Sequence, residues 1–113
     1  MKVSFEGVGE QVLSFGKAEG VNKGSLVKIG ANASVSACSA GDKFAGVCIN
    51  ADGVFAEVQT AGYVELGYTG TAPALGYANL AAANANAVKA DSTGREYLVI
   101  KVDTAAARVG FII

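Results

Sequence analysis

The chain has no histidine, one proline and two cysteines among its 113 residues, and charged side chains make up only 17% of it. Each shortage removes a class of chemistry. Without histidine there is no Ser-His or Cys-His nucleophile arrangement and no His-containing zinc site, and two thiols cannot supply a four-thiolate one. The 10 carboxylates are dispersed, so no spacing predicts a pair held roughly 5 to 9.5 Å apart across a cleft, as glycoside hydrolysis requires. Asp52 and Glu57 are near in sequence but serve equally well as turn and solvent-face residues. The expectation is a protein that is not an enzyme, with no catalytic residue, no metal and no cofactor.

Other shortages bear on partners. No apolar run approaches the ~20 residues that span a bilayer. The opening Met1-Lys2-Val3-Ser4-Phe5-Glu6 lacks the apolar core and cleavage pattern of a signal peptide. Use or assembly in the cytoplasm is expected, and with it reduced thiols at Cys38 and Cys48. Net charge is −1, pI is near 5.3 and the lysines are scattered, which predicts neither a nucleic-acid nor a membrane partner. Low charge also removes repulsion between copies, so association is expected. "GVGEQ" at Gly7 to Gln11 lacks the third glycine and the following helix of a nucleotide loop, and reads as a turn. The tyrosines and phenylalanines lack the positive groove of a base-stacking platform and read as core and interface anchors.

What the chain does have is glycine, 15 copies, and 51% apolar residues. That combination favours strands and turns, because glycine costs about 1 kcal/mol against alanine inside a helix. The two halves also resemble each other. "VSACSAGDKFAGVCINADGVFAEVQT" from Val35 lines up with "VKADSTGREYLVIKVDTAAARVGFII" from Val88 at an offset of 88 − 35 = 53. Under it Phe44 meets Tyr97, Val47 meets Ile100, Cys38 meets Asp91 and Cys48 meets Lys101. Leu26 pairs best with Leu80, one residue further apart, which places a length change where "GANAS" faces "AANANA" and marks both as turns. "NLAAANANAVKADSTG", residues 79 to 94, is alanine-rich enough for a helix, yet the repeat predicts a hairpin there.

Alternation predicts Ala45, Val47 and Ile49 inward in one half, and Leu98, Ile100 and Val102 in the other. Val54, Ala56 and Val58, then Ala107, Val109, Phe111 and Ile113, are expected inward on the following strands. The cysteines face charged residues across the repeat, so both are expected to be small fillers on a half-covered sheet. Residues 1–21 read as an N-terminal arm or strand pair, and 22–113 as a β domain with similar halves at about 24–60 and 77–113, joined by 61–76. Within the joint, "AGYVELGY" reads as a further strand and "TGTAPALG" as a non-helical connection. The fold class is all-β, a small single-domain β-barrel or β-sandwich with a weak internal duplication and little or no helix.

The order of elements in "NKGSLVKIGANASVSACSAGDKFAGVCINADGVFAEVQTAGYVELGY", continued through "LGYANLAAANANAVKADSTGREYLVIKVDTAAARVGFII", resembles the small β-rich head proteins of tailed bacteriophages and prophages, the capsid decoration or cement group. The resemblance covers most of residues 20–113. It implies a virion protein on the capsid surface, assembled in the bacterial cytoplasm, which binds the major capsid protein and strengthens the shell. It also implies a homo-oligomer, with a trimer favoured. Val3, Phe5, Leu13 and Phe15 are apolar, alternating and outside the repeat, and are the candidate partner-binding residues; alternatively they complete the domain's own sheet. The competing function is a β-sandwich recognition module for carbohydrate or a host surface protein, with "NADG" and "TGTAPALG" as binding loops.

Overall fold

The computed structural model describes residues 10–113, which form ten strands and no helix. They are β1 (Gln11–Lys17), β2 (Leu26–Ala31), β3 (Ser34–Ala37), β4 (Gly46–Asp52), β5 (Phe55–Ala61), β6 (Tyr63–Thr69), β7 (Gly76–Ala82), β8 (Ala87–Ala90), β9 (Arg95–Asp103) and β10 (Arg108–Ile112). They close into two barrels, β1-β3-β2-β4-β5 and β6-β8-β7-β9-β10. Each barrel has one parallel contact, β1 with β3 and β6 with β8, and is otherwise antiparallel. Closure leaves neither sheet an open edge strand.

The all-β class and the duplication hold, and the duplication is more complete than the sequence comparison indicates. Strand β6, in the stretch expected to join the halves, is the counterpart of β1: Leu13 pairs with Val58 as Val64 pairs with Phe111. The repeating units are therefore the two barrels, and β1 is an integral strand of the first. The hairpin predicted in "NLAAANANAVKA" is present as β7–β8. Its pairing, Leu80 to Ala90, matches Val27 to Ala37 at 80 − 27 = 53, so the expected one-residue length change at this turn does not occur. The true length changes are of two residues and lie in other loops. Between β3 and β4 the first half is longer, and between β4 and β5 it is shorter. The counterpart of Cys48 is thus Val99, an offset of 99 − 48 = 51, since Cys48 pairs with Val58 as Val99 pairs with Phe111.

This shift does not itself change which face a residue occupies, but a bulge does. Register slips at Ile49 in β4 and at the matching Ile100 in β9, and an extra residue reverses the alternation beyond it. Read through the bulge, the pattern puts several wrong residues inside. The residues facing their own barrel's interior are Cys48 with Gly46 and Tyr97 with Val99, all buried, whereas Ile49 and Leu98 are exposed and Ala45 and Ile100 are half-buried. Of the expected residues, Val47 is buried against the other barrel, and Val102, paired with Val109 beyond the bulge, packs on the core. Ala56, Val58, Val109 and Phe111 are inside as expected. Val54 and Ala107 are exposed turn residues, Ile113 is half-buried, and Ala107 takes a positive φ of 53° in the longer β9–β10 turn, near the 45° of Gly53 in the β4–β5 turn.

Two clusters fill the molecule. Val21, Val27, Val35, Cys48, Ala56 and Val58 fill the first barrel. The second barrel's interior is continuous with four residues of the first barrel, Leu26, Cys38, Phe44 and Val47. Leu26 and Val47 pair directly across β2 and β4, on the face opposite Val27 and Cys48. The outer wall of one barrel therefore seals the interior of the other. Phe44 stacks on Tyr97 at 5.1 Å between centroids and meets Phe111 edge-on at 6.0 Å. Burying side chains of this size stabilises by roughly 1.5–3 kcal/mol each.

Alanine in the β7–β8 hairpin has a packing cause. Ala82 exchanges backbone hydrogen bonds with the 41–42 loop of the first barrel: its carbonyl accepts from Gly41 at 2.8 Å and its N–H donates to Asp42 at 2.9 Å. Leu26 N–H donates to the Ala85 carbonyl at 2.7 Å. Backbones this close leave room only for small side chains, and Ala81 and Ala82 are fully buried. Their counterparts in the first barrel are Lys28 and the exposed Ile29. Asp42 fixes the contacting loop by accepting from Ser39 N–H at 2.8 Å and from Lys28 Nζ at 2.7 Å, and the Lys28 bond holds its carboxyl below the usual range.

Candidate functional site

A surface hollow of about 420 Å³ lies on the outer wall of the first barrel, lined by Ser14, Asn50, Asp52, Phe55 and Glu57. Three adjacent strands build it. Glu57 on β5 sits between Ser14 on β1 and Asn50 on β4, and Phe55 pairs with Asp52 beside the "NADG" turn. The aromatic ring is 63% exposed, although burying it would be favourable. Neither Asp52 nor Glu57 makes an ion pair among the described residues.

The second barrel carries the same positions with different residues, and there the one at the place of Glu57 is buried. Register places Glu65 at the position of Ser14, Lys101 at Asn50, Asp103 at Asp52, Arg108 at Phe55 and Gly110 at Glu57. Tyr63 holds the place of Val12, and its side chain lies so close over Gly110 that a Cβ there would overlap it. The Tyr63 hydroxyl donates to the Glu65 carboxylate at 3.0 Å. Lys101 Nζ stands 3.8 Å from the same carboxylate, and the Arg108 guanidinium donates to the Glu65 carbonyl at 3.3 Å. In the second barrel Glu65 is thus paired with Lys101, and Asp103 accepts from the N–H groups of Ala105 and Ala106. In the first, neither carboxylate has an ion pair among the described residues.

Of the candidate partner-binding residues, Val3 and Phe5 lie outside the described residues. Phe15 packs against the core of the first barrel, and Leu13, on the same face of β1, is 42% exposed where its counterpart Val64 is 7% exposed. These two complete the domain's own sheet. The "NADG" turn does contribute to the hollow, through Asn50 and Asp52. Ser14, Phe55 and Glu57 join it only through strand pairing, and the exposed aromatic beside two carboxylates was the available signal in the sequence. A second exposed apolar patch lies on the outer wall of the other barrel, where Tyr77, 72% exposed, pairs with Leu98, close along the chain from exposed Leu75.

Both cysteines are buried free thiols and not half-covered fillers. Cys48 faces the interior because its counterpart is Val99, not Lys101. Cys38 still matches Asp91 but is covered by the second barrel, whereas no barrel covers Asp91. Burial pushes the Cys38 thiol up to about 11. At pH 8 in the native state neither thiol is expected to react rapidly with an aromatic disulfide reagent, and both are expected to react once guanidinium unfolds the chain. A fast-reacting native thiol would contradict this packing.

No protein-family model, curated protein or solved structure matches the chain.

Proposed function

We propose that the protein is a structural part of a virion, which binds the assembled capsid shell of a tailed phage or prophage and stabilises it without catalysis. The observation that carries this reading is the pair of exposed apolar patches on a rigid body. Val54 and Phe55 are presented by the first barrel, and Leu75, Tyr77 and Leu98 by the second. Exposed aromatic patches on a β scaffold are a feature of contact surfaces. One patch on each barrel suits a part that touches two neighbours in a lattice.

A protein that binds the assembled shell and not its separated subunits shifts the equilibrium toward the shell. Contacts to adjacent capsomers add avidity without new chemistry. The partner in this reading is the major capsid protein, and the chain acts as a homo-oligomer, with a trimer favoured, on the capsid surface. The alternative, a module recognising carbohydrate or a host surface protein, would place its ligand in the hollow beside the "NADG" turn, and a glycan array tests it.

The test uses shells assembled from the major capsid protein of the phage or prophage that carries this chain. Added protein is expected to raise the shell's thermal disassembly temperature. The Phe55→Ala/Tyr77→Ala double variant, with its own melting temperature unchanged, is expected to lose most of that increase. An unshifted shell transition would overturn the reading.

A further inference from the structure

We infer that the hollow on the first barrel is a receptor for an arginine side chain supplied by a partner protein. The inference starts from the duplication. At the matching surface of the second barrel, the carboxylates Glu65 and Asp103 are accompanied by Lys101 and Arg108 of the same chain. In the first barrel Asp52 keeps the place of Asp103 and Glu57 stands where the second has Gly110, while Asn50 and Phe55 take the places of Lys101 and Arg108. The tyrosine that lies over Gly110 in the second barrel is replaced by the smaller Val12, and beside Glu57 the hollow is present.

The lining fits a guanidinium better than other groups. Phe55 offers an exposed aromatic face on which a planar cation can lie, attracted by the ring's electron-rich face. Asp52 and Glu57 accept hydrogen bonds from its fork of donors, and charge-assisted bonds of this kind are roughly twice as strong as neutral ones. The Asn50 side-chain carbonyl and the Ser14 hydroxyl supply further acceptors. A lysine ammonium would gain the charge contact but not the planar stacking. The inference rests on the shell-binding reading only for the partner's identity, a basic loop of the shell protein. The chemistry of the hollow is testable without shells.

The experiment is an NMR titration of the intact protein with N-acetyl-arginine amide, with the citrulline analogue as its neutral isostere and methyl glucoside as a saccharide probe. Saturating shifts are expected at Ser14, Asn50, Asp52, Phe55 and Glu57, with a Kd in the millimolar range, about −4 kcal/mol at 1 mM. Binding is expected to be at least about tenfold weaker for citrulline, in line with the loss of one charge-assisted contact. It should vanish in Asp52→Asn/Glu57→Gln and weaken in Glu57→Gln alone, with the spectrum elsewhere unchanged. No shift, equal response to citrulline, or a response to the glucoside in place of arginine would overturn the inference. Arginine binding together with an unshifted shell transition would leave the inference standing and remove only the shell reading.

Discussion

Replacing Phe44 with alanine is expected to destabilise the protein by about 3–5 kcal/mol, the range for deleting a buried phenylalanine side chain. For a domain of this length the melting temperature should fall by more than about 10 °C. The size follows from where the ring sits. It is 3% exposed, stacked parallel to Tyr97 and edge-on to Phe111, and it belongs to the wall that seals the second barrel. Its loss would open a cavity between two closed barrels whose backbones cannot readily move together. Phe55→Ala is the matched control: the same side chain on an exposed wall should change stability by no more than about 0.5 kcal/mol. Equal effects of the two variants in chemical denaturation would contradict the sealing contact.

Gly46→Ala is the second large effect. Gly46 faces the inside of the first barrel, where a Cβ would overlap the carbonyl oxygen of Gln59 and stand 2.7 Å from Cγ1 of Val58. The first obstacle is backbone in the paired strand and cannot rotate away. A cost of about 1–3 kcal/mol or more is expected, as for other overpacked cores. Gly67→Ala supplies the contrast, because its nearest neighbour is the Ala107 carbonyl oxygen at an ordinary 3.8 Å. That substitution should be neutral or slightly stabilising through the unfolded chain. Urea unfolding of the two variants checks both, and equal midpoints would contradict the close approach at Gly46.

The same positions show what the sequence can and cannot reveal. The duplication is legible around Val35 and Val88 because β3 and β5 keep one offset to their counterparts, and the hairpin at Leu80 to Ala90 follows from it. The register of β4 against β9 is not legible. One loop is shorter by two residues and the next longer by two, so a constant offset looks sound at both ends of a stretch that has slipped in the middle. The bulges at Ile49 and Ile100 then invert the faces, and no local composition distinguishes a bulge isoleucine from a core one. Strand β6 escapes detection as a repeat of β1 because "YVELGYT" and "QVLSFGK" share alternation and one matched glycine, Gly67 with Gly16, but little else. The hollow was half legible. Asn50 and Asp52 stand in a turn that reads as a loop capable of binding, whereas Ser14 reaches it only because β1 closes the barrel against β5.

The asymmetry between the barrels also connects packing to function. Alanine at 81 and 82 and phenylalanine at 44 commit one face of each barrel to the other, and on the second barrel Tyr63 lies over Gly110 beside the Glu65–Lys101 pair. The hollow with Phe55 on the first barrel and the Tyr77 patch on the second are exposed aromatic surfaces, and under the proposed function they are the ones offered to the shell.

Cosedimentation tests the central claim most directly: the protein is mixed with assembled shells and, in parallel, with the same capsid protein held as separated capsomers. Saturable binding to shells, with at least tenfold weaker binding to capsomers, is the predicted result. Equal binding to both, or none to shells, would contradict the account.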